Sequence, residues 1–240
     1  MFSGYTKEFM EKKIYKYYSY DCCLEKMFAP ILKNTLRYRR PLSFNDPYDC
    51  HITTELNESI TSLREHDMET VFVCSLTTNY DNILMWSHYA SNHKGFVVEY
   101  DMNELRKINE HQVETFSYVE YSNAIPSRKL LVKDSTKDIV PAIYHKALCW
   151  GYENEIRSVK YGTPIPIMDT KHEDLELPEN AISAVILGTS FIEPIIIGTG
   201  EKLPSILKPW YESGKLYYMK LRYNEYKLER KNDFKAEWFA

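Results

Sequence analysis

The stretch VFVCSLTTNYDNILMWSHYASNHKGFVVEYD, residues 71–101, is the part of the chain around which the rest can be organised. It begins with an apolar run, Val71 to Leu76, that has the character of a strand. Ile83 to Ser91 then predicts a helix, and Asp81 or Asn82 is placed to cap it. Phe96 to Tyr100 predicts a second strand, so the stretch predicts a strand, a helix and a strand in succession.

Length and composition limit the class of protein. The 240 residues are 44% apolar and 27% charged and carry a formal charge of −4, as in an ordinary globular protein. We therefore expect a single domain over residues 1–240, with a core at about 14–190 and a C-terminal helix and hairpin at 191–240 packed on it. The bulk charge gives no sign of nucleic-acid binding.

Cysteine usage and the lack of long apolar runs indicate the compartment. The five Cys residues form no C-x-x-C pair and no zinc spacing, which favours reduced thiols in a reducing cytosol. The charged N-terminal segment has no apolar signal core, and no apolar run reaches about 18 residues. We therefore expect a cytoplasmic protein without a membrane partner.

Outside the central stretch, strand and helix patterns mix without regular alternation. Ile182 to Leu187 predicts a buried strand closed by Gly188, and Leu216 to Tyr223 with Tyr226 to Arg230 predict a final hairpin or bent strand. Helical patterns are expected at residues 21–35 with a kink or a restart at Pro30, at 55–68, at 139–149 and at 201–213. This irregular order predicts an α+β fold, with a mixed or split antiparallel sheet around one cleft and several flanking helices.

The sharpest local pattern is Glu153-Asn154-Glu155-Ile156-Arg157. On a helix, Glu153 and Arg157 would pair at positions i and i+4. On a strand, which we favour because a predicted helix precedes it, Glu153, Glu155 and Arg157 would share one face. Two carboxylates and a guanidinium can bind a polar ligand, orient a sugar hydroxyl or stabilise a cationic transition state. The structural alternative is an exposed strand face with salt bridges.

Two further motifs supply polar groups. Asn45-Asp46-Pro47 predicts an ordered turn, and Asp46 or Asp49 would face the same cleft as the two glutamates if the turn is functional. In the motif Met85-Trp86-Ser87-His88-Tyr89-Ala90, Trp86 and Tyr89 are expected in the core. His88 is interpreted as a general base, a ligand-orienting group or a structural histidine.

Donors for a metal site are present, but not in a dense metal-binding spacing. They are Asp46, Asp49, His51, His88, His93, Glu153 and Glu155. No H-E-x-x-H motif occurs, and no metal is expected. The sequence also contains no G-x-x-x-x-G-K-[ST], G-x-G-x-x-G or G-x-S-x-G pattern, which argues against P-loop, Rossmann and serine-hydrolase proteins.

The motifs taken together resemble a large bacterial family of domains of unknown function, typed by N-D-P-[FY]-[DE], M-W-x-H-Y-A and W-x-Y-E-x-E-x-R. The matching residues are Asn45 to Asp49, Met85 to Ala90 with His93 to Phe96, Lys146 with Trp150 to Arg157, and Val185 to Gly188. Members of such families often accompany phage-defence or abortive-infection genes. The resemblance therefore implies a phage-defence effector or toxin without specifying its reaction.

A second, more distant likeness is to ADP-ribosyltransferases, which present a basic residue, a Ser/Thr strand end and an E-x-E strand in that order. The chain offers Arg39 or Arg40, then Ser75-Leu76-Thr77-Thr78, then Glu153-Asn154-Glu155, and it lacks a true S-T-S. The likeness implies an ADP-ribosyltransferase or NAD glycohydrolase with NAD as substrate. The ligand would be a small-molecule nucleotide, and the modified target a protein or nucleic acid.

The same likeness implies roles for particular residues. Glu155 would be the catalytic carboxylate, and Glu153 would orient the acceptor. Ser75 and Thr77 would line the nicotinamide pocket, with His88 and Tyr89 at its wall. Arg39 or Arg157 would hold phosphate. The further candidates for the cleft are Asn45, Asp46, Asp49, Trp86, Lys146 and Trp150.

Two other functions fit the same residues. One is a metal-assisted hydrolase, acting for example on nucleic acid, that would use Asp46, Asp49, His88 and Glu153. The other is a non-catalytic sensor or partner-binding module, which expects Glu153 and Glu155 on an exposed flat face. The three hypotheses differ in whether Asp46, His88, Glu153, Glu155 and Arg157 converge on one concavity.

Overall fold

A computed structural model describes residues 13–54, 60–62, 70–108, 115–128, 140–162 and 172–239. Helices and strands mix as expected, so the α+β class is confirmed. The strands are β1 (Lys13–Tyr18), β2 (Thr35–Tyr38), β3 (His51–Thr54), β4 (Ile60–Ser62), β5 (Val71–Thr77), β6 (Phe96–Asp101), β7 (Thr115–Tyr118), β8 (Glu120–Ser122), β9 (Ser127–Arg128), β10 (His145–Ala147), β11 (Glu155–Tyr161), β12 (Glu173–Glu176), β13 (Ile182–Leu187), β14 (Leu216–Leu221) and β15 (Leu228–Lys231).

The helices are short. The α-helices are α1 (Leu24–Met27), α2 (Ala29–Leu32), α3 (Ile83–Tyr89), α4 (Met102–Leu105), α5 (Val140–Ile143), α6 (Thr189–Ile196) and α7 (Lys208–Glu212). Turns of 3-10 helix cover Pro41–Ser43, Leu148–Glu153, Ser205–Leu207 and Ala236–Trp238. Helices of four or five residues have little stability of their own, so most of these are held by packing against the strands.

The chain divides into two compact units. The first comprises residues 1–35, 77–108 and 176–240, and the second comprises 36–76 and 109–175, each in its described part. Each unit has its own hydrophobic cluster, as given below. The expectation of a single domain over the whole chain stays a prediction.

The first unit is built on a mixed sheet in the order β15-β14-β13-β6-β1. β6 lies between antiparallel neighbours, with Val98 opposite Lys16 of β1 and Val185 of β13. β13 and β14 are parallel, and β14 and β15 form the antiparallel hairpin expected from the sequence. Helix α3 contributes Trp86 to a buried cluster with Val97, Ile186 and Met219.

The central strand–helix–strand prediction is confirmed, and the capping residue is Asn82. Its Oδ1 accepts hydrogen bonds from the backbone N–H groups of Leu84 at 2.9 Å and Met85 at 3.2 Å. The helix ends at Tyr89 instead of Ser91. The reason is that Ser91, Asn92 and His93 have positive φ angles of 48°, 53° and 66°, which no right-handed helix can continue.

The second unit contains strands in the order β5-β11-β7, in which Arg157 of β11 pairs with Ser117 of β7. β10 pairs in parallel with β8, and β3 pairs with β4 and β9. A separate pair is formed by β2 and β12. The hydrophobic cluster of this unit joins Val71 and Val73 of β5 to Ile143 and to Val159 of β11.

Several expected helices differ from the structure. The helix expected at 139–149 is wrong beyond Ile143, because residues 145–147 form β10 and pair with β8. The helix expected at 55–68 lies largely outside the described residues, and at Ile60–Ser62 the structure has β4 instead. Of the kink or restart expected at Pro30, the structure shows the restart: α1 ends at Met27, and Pro30 lies in the first turn of α2. Helix α6 was not expected.

Candidate functional site

Arg157 lies at the centre of a group of charged side chains in the second unit. Its side chain is fully buried, at 0% exposure. Its Nη1 and Nη2 donate to Oδ1 and Oδ2 of Asp49 at 2.8 and 2.7 Å, a bidentate pair. Nη1 also donates to the Ile143 carbonyl at 2.5 Å. The guanidinium is thereby fixed between the Asp46–Asp49 turn and α5.

Glu155 begins β11 and lies on the same side of the strand as Arg157. Arg157 Nε donates to Glu155 Oε1 at 2.8 Å, and Nη2 donates to Oε2 at 3.1 Å. The Ser75 hydroxyl is a further hydrogen-bond donor to this carboxylate. Burial alone would raise the pKa of Glu155, but Arg157 and Lys146 outweigh it and lower the pKa to about 2. Glu155 is therefore ionised at neutral pH.

Lys146 connects the carboxylates. Its Nζ lies 2.6 Å from Glu153 Oε2, 3.3 Å from Glu155 Oε2 and 3.8 Å from Asp49 Oδ2. Burial alone would lower the pKa of Lys146, but the charges of Glu155 and Glu153 overcome it and raise the pKa above its usual value. The same ammonium lies 4.8 Å from the centre of the Trp150 ring.

The backbone at Asn154 explains how Glu153 and Glu155 both reach Lys146. Glu153 ends a 3-10 helix, and Asn154 follows in the left-handed conformation with φ 43° and ψ 51°. β11 begins only at Glu155, so the expectation that all three charged residues share one strand face is wrong for Glu153. Asn tolerates this conformation better than most residues do.

We call Asp49, Lys146, Glu153, Glu155 and Arg157 the buried charge cluster. Each is 8% exposed or less, so the exposed strand face that the partner-binding hypothesis expects is wrong. Three carboxylates and two cations give the cluster a formal charge of −1. Burying such groups is costly unless their geometry is good and further hydrogen bonds support them. Chemically, fixed carboxylates with net negative charge can stabilise a positive charge.

Aromatic side chains lie beside the cluster. Trp150 and Tyr152 are half-buried, and their ring centres are 6.1 Å apart. The Tyr121 hydroxyl accepts a hydrogen bond from the backbone N–H of Glu155 at 2.8 Å. The sequence does not identify Tyr121 as a site residue. Its contact with Glu155 depends on the pairing of β8 with β10, which no local sequence pattern indicates.

The other candidate residues of the second unit, Arg39, Asn45 and Asp46, are not members of the buried charge cluster. Asn45 and Arg39 are exposed, and the Arg39 backbone pairs with Val73. Asp46 is buried, and its Oδ1 accepts from the Tyr48 N–H at 2.9 Å, which confirms the expected turn.

Four candidates belong to the first unit. Trp86 is buried as expected, and its Nε1 donates to the Tyr80 carbonyl at 2.8 Å. Thr77 is buried, with its Oγ1 accepting from the Asn79 N–H at 2.9 Å. His88 is exposed, and its ring centre lies 6.3 Å from that of Tyr89, which is half-buried. The residues that the structure brings together are thus those of the buried charge cluster with Ser75 and Trp150.

The described ranges contain neither a group of side chains suited to a metal ion nor a helix suited to a membrane. Within them, no three or more His, Cys, Asp or Glu side chains are grouped so that they could hold a metal ion. The carboxylates of Asp49 and Glu153 are engaged by Arg157 and Lys146, which gives the metal-hydrolase hypothesis no support. None of the helices in these ranges combines the length and the apolar character needed to cross a bilayer.

The fold and site define an α+β protein with a buried charge cluster in its second unit. A family model described as a protein of unknown function (DUF2971) matches residues 85–158, from α3 into β11. The resemblance to a family of domains of unknown function is confirmed over this segment, which includes Lys146, Glu153, Glu155 and Arg157. Comparison with curated proteins and with solved structures finds no significant match.

Proposed function

We propose that the protein is an NAD-consuming enzyme of the ADP-ribosyltransferase-like kind, with its reaction centre at the buried charge cluster. The observation that carries the proposal is the surroundings of the Lys146 ammonium. It lies between the carboxylates of Glu153 and Glu155, and the Trp150 ring centre is 4.8 Å away. Two carboxylates and an indole form a recognition set for a cation, and especially for a flat cationic ring.

The nicotinamide ring of NAD is such a cation. In the proposed complex it replaces the Lys146 ammonium against Glu153 and Glu155, so one positive charge exchanges for another and the cluster keeps its charge balance. Lys146 has a flexible stem and is joined to the cluster through its terminal group alone. It is therefore the member most easily displaced, whereas Arg157 is held by two carboxylates and a carbonyl.

The bond that breaks joins nicotinamide N1 to ribose C1′, and its electron pair leaves with neutral nicotinamide. The positive charge then lies on C1′ and the ring oxygen, until water or an acceptor nucleophile adds and loses a proton. Glu155 stabilises this charge because it stays ionised, with its pKa lowered to about 2 mainly by Arg157 against the effect of burial. Glu153 orients the acceptor.

The remaining roles follow from burial. Arg157 is fully buried and engaged by Asp49 and Glu155, so it acts as a positioning residue and does not hold phosphate. Ser75 likewise positions Glu155 through its hydrogen bond. Arg39 is exposed and remains the candidate for the phosphates. Trp150 stacks on the nicotinamide ring.

The direct test is to incubate the purified full chain with NAD and to measure the released nicotinamide by chromatography. We expect release by the wild type and a loss of about a hundredfold or more in Glu155→Gln and Glu153→Gln, since each removes a carboxylate from the developing cation. Glu173→Gln is the matched control, because Glu173 pairs with Lys160 away from the cluster and should leave the rate unchanged. Absence of both binding and turnover up to millimolar NAD would refute the proposal.

Loss of folding must be separated from loss of chemistry, because both glutamates are buried. Calorimetry of NAD binding and circular dichroism on each variant supply this control. A variant that keeps its fold and binds NAD but releases no nicotinamide supports a catalytic carboxylate. A folded variant with wild-type turnover contradicts the role given to that residue.

A further inference from the structure

Asp46 carries a buried carboxylate oxygen that no described residue satisfies. The residue is 8% exposed, and its Oδ1 accepts from the Tyr48 N–H at 2.9 Å. Its Oδ2 is buried and has no hydrogen-bond partner within the described part of the chain. A buried carboxylate oxygen without a donor is destabilising, and native proteins rarely retain one without a reason.

The turn that carries Asp46 also carries Asp49, a member of the buried charge cluster. The Asp49 N–H donates to the Asp46 carbonyl at 3.1 Å, which closes a tight turn. The Cα atoms of the first and last residues of such a turn lie within about 7 Å of each other. Asp49 is itself the bidentate partner of Arg157. The Asp46 backbone is therefore close to that of a residue in the cluster at which the nicotinamide ring is proposed to bind.

We infer that Asp46 is a specificity-determining residue that accepts a hydrogen bond from an N–H donor on the ligand. The inference rests on the proposed function, and it identifies the donor as the carboxamide NH₂ of the nicotinamide ring. A carboxylate accepts a hydrogen bond from an amide N–H and disfavours a second carboxylate at the same position. The site should therefore accept NAD and reject nicotinic acid adenine dinucleotide, in which a carboxylate replaces the carboxamide.

The substitution Asp46→Asn separates this role from a role in the turn. Asparagine has the same shape and can cap the turn through its own side-chain oxygen, so the fold should be kept. It replaces a buried carboxylate by a neutral amide, which is less costly to bury, so the free protein should unfold at the same temperature or a higher one. If Asp46 were present only for the turn, this variant would bind ligands as the wild type does.

Calorimetric titration of the full chain with each dinucleotide tests the inference. We expect the wild type to bind NAD at least about tenfold more tightly than its carboxylate analogue. In Asp46→Asn, the ratio of the affinity for NAD to that for the carboxylate analogue should fall toward one, and the affinity for NAD should decrease. Asp174→Asn is the control, since Asp174 pairs with Arg37 outside the cluster and should keep the wild-type preference.

The outcomes distinguish the inference from the proposed function. If the wild type and Asp46→Asn bind NAD with the same affinity and prefer it over the carboxylate analogue to the same degree, Asp46 has no part in recognition, although the proposed function stands. If the wild type binds neither dinucleotide at millimolar concentration, the proposed function fails and the inference fails with it. An Asp46→Asn variant that loses the preference while its melting temperature is kept or raised supports the inference.

Discussion

Arg157 and Asp49 are 108 positions apart in the sequence and form a bidentate ion pair at 2.8 and 2.7 Å, buried from solvent. The pair attaches the Asp46–Asp49 turn to β11. It also fixes the guanidinium that holds Glu155, so one long-range contact helps to position the carboxylate to which the proposed chemistry is assigned.

Asp49→Asn should strongly destabilise the second unit. The substitution keeps the shape of the side chain but leaves Arg157 with less compensation for its buried charge, and the expected cost is about 3 kcal/mol in the free energy of unfolding. Urea unfolding measures this cost. Asp174→Asn is the matched control, since the Asp174–Arg37 pair is partly exposed and should contribute at most about 1 kcal/mol. Equal effects of the two substitutions would show that burial does not strengthen the Asp49 pair.

Acid should destabilise the protein through Glu155. The folded pKa of about 2 lies below the ordinary value of 4.5, because Arg157 and Lys146 outweigh burial. The ionised form therefore contributes stability above pH 4.5 that is lost as the pH falls toward 2, amounting to roughly 3 kcal/mol. Unfolding free energies of the wild type and Glu155→Gln, measured between about pH 7 and pH 3, should differ most at pH 7. Parallel curves would contradict this assignment, and Glu173→Gln should follow the wild type.

Much of the fold could be predicted because its signals are local. The strand, capped helix and strand of residues 71–101 follow from an apolar run, a capping Asn and a second apolar run. The hairpin of β14 and β15 follows from two apolar segments joined by a polar turn. The helix expected at 139–149 was wrong because β10 exists only through its pairing with β8, which no local pattern shows.

The candidate site could be predicted only in part, for the same reason. The pattern of Glu153, Glu155 and Arg157 pointed to the correct segment. The left-handed residue Asn154 and the bridge through Lys146 depend on long-range packing, so the sequence did not give their geometry. The burial of Asp46 Oδ2 without a hydrogen-bond partner among the described residues is likewise a property of the folded turn and not of the motif.

The choice between Asp81 and Asn82 as the cap of α3 can be tested directly. Asn82 Oδ1 accepts from two backbone N–H groups, so Asn82→Ala should cost about 1 kcal/mol. Asp81→Ala should stay within about 0.5 kcal/mol, as is usual for an exposed residue. Thermal unfolding of both variants decides the question. A larger loss in Asp81→Ala would mean that the cap assignment is incorrect.

Thiol reactivity should follow burial. Cys22, Cys23 and Cys149 are exposed, whereas Cys50 and Cys74 are buried, and burial raises the pKa of the Cys50 thiol. A disulfide reagent should therefore modify three thiols rapidly in the native protein and all five after denaturation. Cys149→Ser should reduce the rapid count to two. Rapid reaction of four or five thiols in the native wild type would show that one unit opens readily.

The backbones of Gly95 and Gly188 meet in the first unit. The Gly188 N–H donates to the Gly95 carbonyl at 3.0 Å. A Cβ atom at Gly95 would collide with the Tyr18 carbonyl, and one at Gly188 would collide with the His93 carbonyl. These neighbours are backbone atoms of a strand and a tight turn, so they cannot move aside as a flexible side chain would.

Gly95→Ala and Gly188→Ala should therefore each lower the free energy of unfolding by at least about 2 kcal/mol, measured in urea. Gly151→Ala is the control, because a Cβ there would make only an ordinary contact of 3.9 Å with the Tyr121 ring. A cost for Gly95→Ala as small as that of the control would mean that the strand beneath it shifts freely. Because the two glycines share one contact, the double variant should cost less than the sum of the single ones.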